Sequence, residues 1–363
     1  MKNILKIFAA FVLISALLLS LTACGLAPSA PSKAAGSAET ETRSYTDSVD
    51  RTVELPVQID RIALSGPATQ IYLFALCPDR LVGIAEPWSS YAEEYLDPEY
   101  LSMPVLGQLY GGKGELNLET LLSSGAQVVV DIGEPKSSIV EDLNSLQEQT
   151  GIPFVHINSG IAMAGDTYRE LGRLLNMQDE AETLAQYCDR VYARAADIAG
   201  RVDKVKLLYI TGDKGLNVIA KGSFHAETID LMSDNLAVLD DPSAKGIGNE
   251  VDFEQILSWN PDYILFEPDS VYSAVGEDPL WQNINAIKNG TYYEVPHGPY
   301  NWMGFPPSVQ RLLGMMWTAK LFYSEQADYD LQAEVTEYYR LFYHCNLTSE
   351  QYTALVADST GKQ

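Results

Sequence analysis

Cysteine is scarce in this chain, and no pattern present would make it reactive. Of the four cysteines in 363 residues, Cys24 lies in the N-terminal leader. Cys77, Cys188 and Cys345 remain, an odd number that internal disulfides cannot fully consume. There is no CxxC and no zinc-like spacing. Cys77 ends an apolar stretch and reads as a buried thiol. Cys188 and Cys345 fall in helical stretches, and spacing leaves open whether they pair. Histidine is equally thin: His156, His225, His297 and His344 are too few for a bare-metal cage without several converging carboxylates. Basic residues are short as well, with 24 Lys and Arg against 49 Asp and Glu and a net charge of −25. A chain without a basic face has nothing to set against a phosphate backbone, which excludes nucleic acid as a partner. The acidity favours solubility and says little about fold. The catalytic signatures G-x-S-x-G, the P-loop and a strand-following G-x-G-x-x-G are all missing. Nothing here asks for catalysis, and an enzyme is the weaker reading.

What is present begins with the leader. Lys2 and Lys6 precede an apolar run from Ile7 to Leu21, too short for a comfortable membrane span and followed by Leu21-Thr22-Ala23-Cys24. This predicts a signal peptide over 1–23 with a bacterial lipobox, so that Cys24 becomes the lipid-bearing mature N-terminus. The stretch 24–44 is rich in Ala, Ser, Pro, Gly and Thr without apolar periodicity, and is predicted to be a disordered tether. The lipid would anchor an extracytoplasmic domain to the cell membrane without spanning it.

The most informative feature is a unit written twice, LNLETLLSSGAQVVV at 116–130 and VDFEQILSWNPDYIL at 251–265. Each copy reads as an N-cap (Asn117, Asp252), an acid in the first turn (Glu119, Glu254), a short apolar helix, a turn and a buried strand. The copies lie one domain's length apart, too far for a solenoid repeat. Strands alternating with helices on either side imply parallel sheets. The fold class is therefore α/β, with two Rossmann-like lobes at 45–165 and 202–363 joined by a long rigid helix over 166–201. That connector has one soft spot near Asn176-Met177, a place where two helices can meet. A small hairpin, TDSVDRTVELP, opens the first lobe with Asp50-Arg51 at its turn.

Lipobox, tether, TVELP opening, matched Glu-bearing units and connecting helix together resemble the solute-binding lipoproteins of ABC importers. The resemblance is to the class for iron–siderophores, haem and cobalamin. It covers about Tyr45 to Val356, and DFEQILSWNPDYILF and GFPPSVQRLLGMMW are its most specific pieces. It implies a monomeric receptor without intrinsic cofactor, which captures a metal chelate between its lobes. Glu119 and Glu254 would then dock onto basic sites of the two permease subunits. The plain alternative for each acid is a favourable place in a helix dipole, about 0.3–1 kcal/mol.

The cleft is expected beside the carboxyl ends of the strands. Aromatic groups in those loops, Trp88, Tyr110, Tyr272, Tyr300 and Trp302, are candidate ligand contacts, as are Tyr91 and Phe224. The alternative is that they cover core edges. His297, in the loop EVPHGPYNWMGFPP, is a candidate contact to a Fe(III)-siderophore, haem or cobalamin, against the alternative of a turn histidine bonded to backbone. Basic residues in the loops are sparse, Lys113, Lys136, Lys214, Lys221 and Lys245, and no arginine cluster marks them, so a strongly anionic catecholate chelate is not indicated. With Gly111-Gly112 beside Lys113, a bare ion or a molybdate-like oxyanion stays as the alternative ligand. A surface sensor on the same fold is a further alternative.

Overall fold

The computed structural model describes residues 41–110 and 115–360. The predicted signal peptide, Cys24 and the glycine-rich loop around Lys113 lie outside the described residues. Among the described residues no helix is long and apolar enough to cross a membrane.

Within the described residues the first strand begins inside the stretch expected to be tether. Strand β1 (Thr42–Thr46) pairs antiparallel with β2 (Thr52–Pro56), and Asp50 takes the turn at φ 61°. Arg51 pins this hairpin to the first lobe. It pairs with Asp47 at 3.0 Å and donates to the Phe154 carbonyl at 2.8 Å, both side chains being almost fully buried. Arg43 donates to the Leu174 carbonyl and Tyr45 to Glu170, so the end of the expected tether is held by a side-chain contact that composition does not reveal.

The first lobe is built on the parallel strands β3 (Ile62–Leu64), β4 (Val128–Gly133) and β5 (Phe154–Asn158). Single parallel bridges from Ile62 to Leu81 and from Ile84 to Val105 extend this sheet. The second lobe carries β6 (Lys206–Thr211), β7 (Asn217–Val218), β8 (Asp234–Asn235), β9 (Asn249–Glu250), β10 (Tyr263–Phe266) and β11 (Tyr292–Glu294), in the order β11-β10-β6-β7-β9 with β8 also against β6. Its spine β6-β10-β11 is parallel.

Strand alternation divides the apolar residues between faces. In β6, Leu207 and Tyr209 join one buried cluster while Leu208 and Ile210 join another. In β4, Val128, Val130 and Ile132 face the first of these clusters and Val129 faces a third. Each lobe therefore has an outer core of its own, and both sheets share one inner core. That inner core is aromatic: Tyr187 lies 5.2 Å from Phe342, Tyr338 stacks on Phe342 at 4.3 Å, and Trp302 and Trp317 are fully buried in it.

The connector is two helices, Ala164–Leu175 and Gln178–Ala199, broken where Asn176 adopts the left-handed conformation at φ 54°. They fold back on each other so closely that a Cβ on Gly172 would meet the Ala181 Cβ at 2.7 Å. The break falls at the expected soft spot, but the amphipathic pattern does not reveal the reversal of direction there, because one αL asparagine suffices to turn the chain. Only the second arm, 22 residues and about 33 Å long, runs on to the second lobe. Cys77, Cys188 and Cys345 are all free thiols. Burial pushes Cys77 up to about 12 and Cys188 well above its ordinary value, so both are inert.

Trp302 has no exposed surface. Trp302→Ala is expected to cost about 3–5 kcal/mol of stability, as a large aromatic leaving a core cavity. Urea unfolding measures it; a loss below about 1 kcal/mol would contradict the packing described.

Candidate functional site

The two copies of the repeated unit fold alike. In the first, the Asn117 side chain accepts from the Thr120 N–H at 2.9 Å and caps the helix Leu118–Ser124, which Gly125 ends in the left-handed conformation. In the second, Asp252 accepts from Gln255 N–H at 2.7 Å and caps Phe253–Trp259, which Asn260 ends in the same way. Each helix leads into a central parallel strand, β4 or β10. Glu119 and Glu254 are both the second residue of their helix, both exposed, and neither has an ion-pair partner among the described residues. The fold thus presents one unneutralised carboxylate at the same place on each lobe.

The loops that follow the parallel strands meet in a seam between the lobes. Its middle is closed by the helix Pro67–Leu76 of the first lobe against the segment 297–308 of the second. Gln70, fully buried, donates to the Tyr300 hydroxyl at 2.9 Å, and Ser308 donates to the Ala68 carbonyl at 3.0 Å. Ser89 adds a bond to the Pro299 carbonyl at 2.9 Å.

At one end of the seam the His297 ring stacks on Tyr91 at 4.3 Å, and the Tyr91 hydroxyl reaches Asp269 at 3.2 Å. A cavity of about 340 Å³ opens here, lined also by Glu94, Glu294 and Asp358. Burial, then Asp358 and Asp269, raises Glu294 above the ordinary carboxyl range. Burial pushes His297 down to about 4, with Asp269 opposing, and its buried Nδ1 has no partner among the described residues.

At the other end Arg311, 2% exposed, opens the helix Arg311–Phe322. Its guanidinium pairs with Glu227 at 2.6 Å, donates to the Phe224 carbonyl at 2.9 Å and lies 5.0 Å from the Phe224 ring centre. Burial lowers its affinity for the proton, and Glu227 opposes that. Glu227 also reaches the first lobe, where it accepts a long bond from the Ile161 N–H at 3.5 Å. His225 has Nδ1 3.3 Å from the Gly304 carbonyl, and the Phe305 ring, 45% exposed, meets His225 across Gly246. Lys136 of the first lobe is close enough to help lower His225, whose largest cause is burial.

Of the candidate contacts, His297 lines open space at the seam. Trp88 is half-buried, with Nε1 on the Tyr100 carbonyl at 3.1 Å and its ring between Phe74 and Tyr300. Tyr110 is half-buried and donates to Asp142 at 2.6 Å, next to the undescribed glycine loop. Tyr300 is buried, its hydroxyl taken by Gln70. Tyr272 packs in the outer core of the second lobe against Phe266 and Tyr292. Trp302 is in the inner core. In this conformation the last three offer a ligand little or no surface, because each ring fills a core gap that its loop position hides from the sequence. His156 is buried in a chain of bonds to Asp131 at 2.6 Å and Asn158 at 2.9 Å. No group of three or more His, Cys, Asp or Glu among the described residues is placed to hold a metal ion. Arg311 and Glu227 were not anticipated. The available signal was an arginine opening a helix buried on all sides, with no acid one turn along to neutralise it.

Residues 78–298 match the family model described as periplasmic binding protein. The Fe(3+)-citrate-binding protein YfmC of Bacillus subtilis is 23% identical over 191 residues, 51% of this chain; the match spans only 58% of that relative. The ABC transporter solute binding protein from Sulfurospirillum deleyianum superimposes with a TM-score of 0.80 at 25% identity, over 87% of this chain and 99% of that one. The molybdate periplasmic binding protein MolA of Haemophilus influenzae, solved with molybdate bound, gives a TM-score of 0.68 at 23% identity over 84% and 99%. That last likeness is one of fold.

His297 carries a pH prediction. Its folded value of about 4 lies below the ordinary value, so the fold holds the neutral ring. Its contribution to stability is complete above about pH 6.5 and is lost as pH falls toward 4, up to about 3 kcal/mol. His225, lowered in the same sense, adds to the slope. Thermal midpoints measured from pH 7 to 4 should fall less steeply in His297→Gln than in the native chain. Equal slopes would contradict the burial of this ring.

Proposed function

Since the chain belongs to the periplasmic binding protein family, we propose that it is the extracytoplasmic receptor of an ABC importer. It is held to the membrane by a lipid on Cys24 and delivers an iron complex or a corrinoid to the permease. The single observation that carries this reading is the pair of matched lobes. Each presents an unpaired acid, Glu119 or Glu254, at the same structural place, on either side of a seam where the strand ends converge. Two separated exposed carboxylates suit a two-subunit partner with basic sockets, which they would steer and orient in a salt-dependent contact. The shared inner core holds the lobes, so docking geometry rather than a large hinge motion would report ligand occupancy.

The ligand belongs in the seam. A ferric chelate is favoured by the Fe(3+)-citrate-binding relative. A molybdate-like oxyanion is the second reading, favoured by the fold shared with MolA and by the buried Arg311.

A thermal-shift panel of ferric citrate, ferric hydroxamates, haem, cobalamin, bare divalent metals and molybdate tests the receptor reading. A ligand at a hundredfold over its Kd adds about 2.7 kcal/mol. One responding complex names the cargo, and silence throughout would contradict the reading. Glu119→Gln with Glu254→Gln should lower uptake into cells carrying the permease by about tenfold, the equivalent of ~1.4 kcal/mol of docking contact, with ligand affinity unchanged. Undiminished uptake would remove the docking role.

A further inference from the structure

We propose that Arg311 is the anion-recognition residue of the seam, and that Glu227 is its resident counter-ion, displaced when an oxyanion-bearing metal complex or oxyanion binds. This rests on the receptor reading and narrows its cargo to anionic ligands with exposed carboxylate or comparable oxygens.

Position is the first argument. Arg311 belongs to the second lobe, and its partner Glu227 touches the Ile161 N–H of the first, so the pair lies where the two lobes meet. Gly160 leaves room for that approach, since a Cβ there would come within 3.1 Å of Glu227 Oε1. Burial is the second. The Arg311 side chain is 2% exposed and that of Glu227 30%. The guanidinium is thus fixed and desolvated, while the carboxylate is the half of the pair that solvent reaches. Glu227 is the one carboxylate paired with Arg311 among the described residues.

The energetics favour exchange over rupture. Removing one partner from a buried ion pair strands a charge, whereas replacing one carboxylate by another keeps the guanidinium satisfied. A guanidinium also presents parallel N–H groups that fit two oxygens of one anion, which an ammonium does not. The surroundings suit a bulky anionic complex rather than water. Phe224 lies beneath the guanidinium, Gly304 packs on the stem of the Arg311 side chain, and Lys136 of the first lobe adds positive potential at the neighbouring His225. In a chain of net charge −25, an anion needs such a local cationic spot to be bound at all. Displacing Glu227 would also release its bond to Ile161, so occupancy would alter the contact between the lobes at that point.

Titration calorimetry on the folded protein, with ferric citrate and molybdate as anionic probes and a neutral ferric trihydroxamate and cobalamin as controls, tests this. Glu227→Gln removes the competitor and should tighten the anionic probe that binds by about threefold to tenfold. Arg311→Gln combined with Glu227→Gln leaves a neutral pair that need not unfold the protein. It should weaken the same probe by about tenfold or more while the thermal midpoint of the free protein stays near that of Glu227→Gln. Binding of the controls should not move with either variant. Weaker or unchanged anion binding in Glu227→Gln, or native-like anion binding in the double variant, would overturn the proposal and leave the pair as a structural contact. A native protein that binds a neutral complex and neither anion would overturn it too, with the receptor reading intact. Silence toward every probe would overturn both.

Discussion

Both sheets bury one face in the same aromatic core, and the rest of the molecule follows from that constraint. Alternation along β4, β6 and β10 sends every second side chain inward to meet Tyr168, Tyr187, Tyr338, Phe342, Trp302 and Trp317. A sheet that shares its inner face with another lobe cannot swing freely, because opening would expose rings that are dispersed through the interior at close-packed density. The helix Gln178–Ala199 supplies part of that core along its length. The middle of the seam is held by the same packing, through Gln70, Tyr300 and Ser308. At one end of the seam, beside His297, a cavity of about 340 Å³ remains open.

Charge is distributed by the same logic. Most of the acids are carried on the outside, and the buried charges have partners: Arg51 with Asp47, Arg311 with the partly exposed Glu227, Asp131 with the His156 ring, and Glu334 with Arg190 and Arg194. The seam is polarised as a result. One end gathers Glu94, Glu294, Asp358 and Asp269 around a neutral histidine. The other carries Arg311 with Lys136 nearby and a single intervening carboxylate. Among the described residues the first end is acidic and the second carries the guanidinium, so the two ends differ in charge.

Much of the architecture was legible in the chain. The apolar run of β4 and the repeated cap–acid–helix–strand unit required only local chemistry: an Asn or Asp side chain on a backbone N–H, a left-handed Gly125 or Asn260, and a strand buried on both faces. The connector was legible in composition and length but not in path, since Asn176 reverses it through a single backbone conformation. The site was less legible. His297 could be placed at the seam because it follows β11, but Trp302 and Tyr272 follow the same kind of strand end and turn into cores. Whether an aromatic in a loop faces a cleft or a gap depends on what the other lobe brings opposite it. The same limit hid Arg311, whose partner lies 84 positions earlier in the chain and is brought to it only by the packing of the second lobe.

Differential scanning calorimetry tests the shared core most directly. If the inner core binds both lobes into one cooperative unit, the folded region melts in one transition whose calorimetric and van't Hoff enthalpies agree. Two resolved transitions, or a calorimetric enthalpy about twice the van't Hoff value, would mean that the lobes unfold separately and that the seam is not held by a common core.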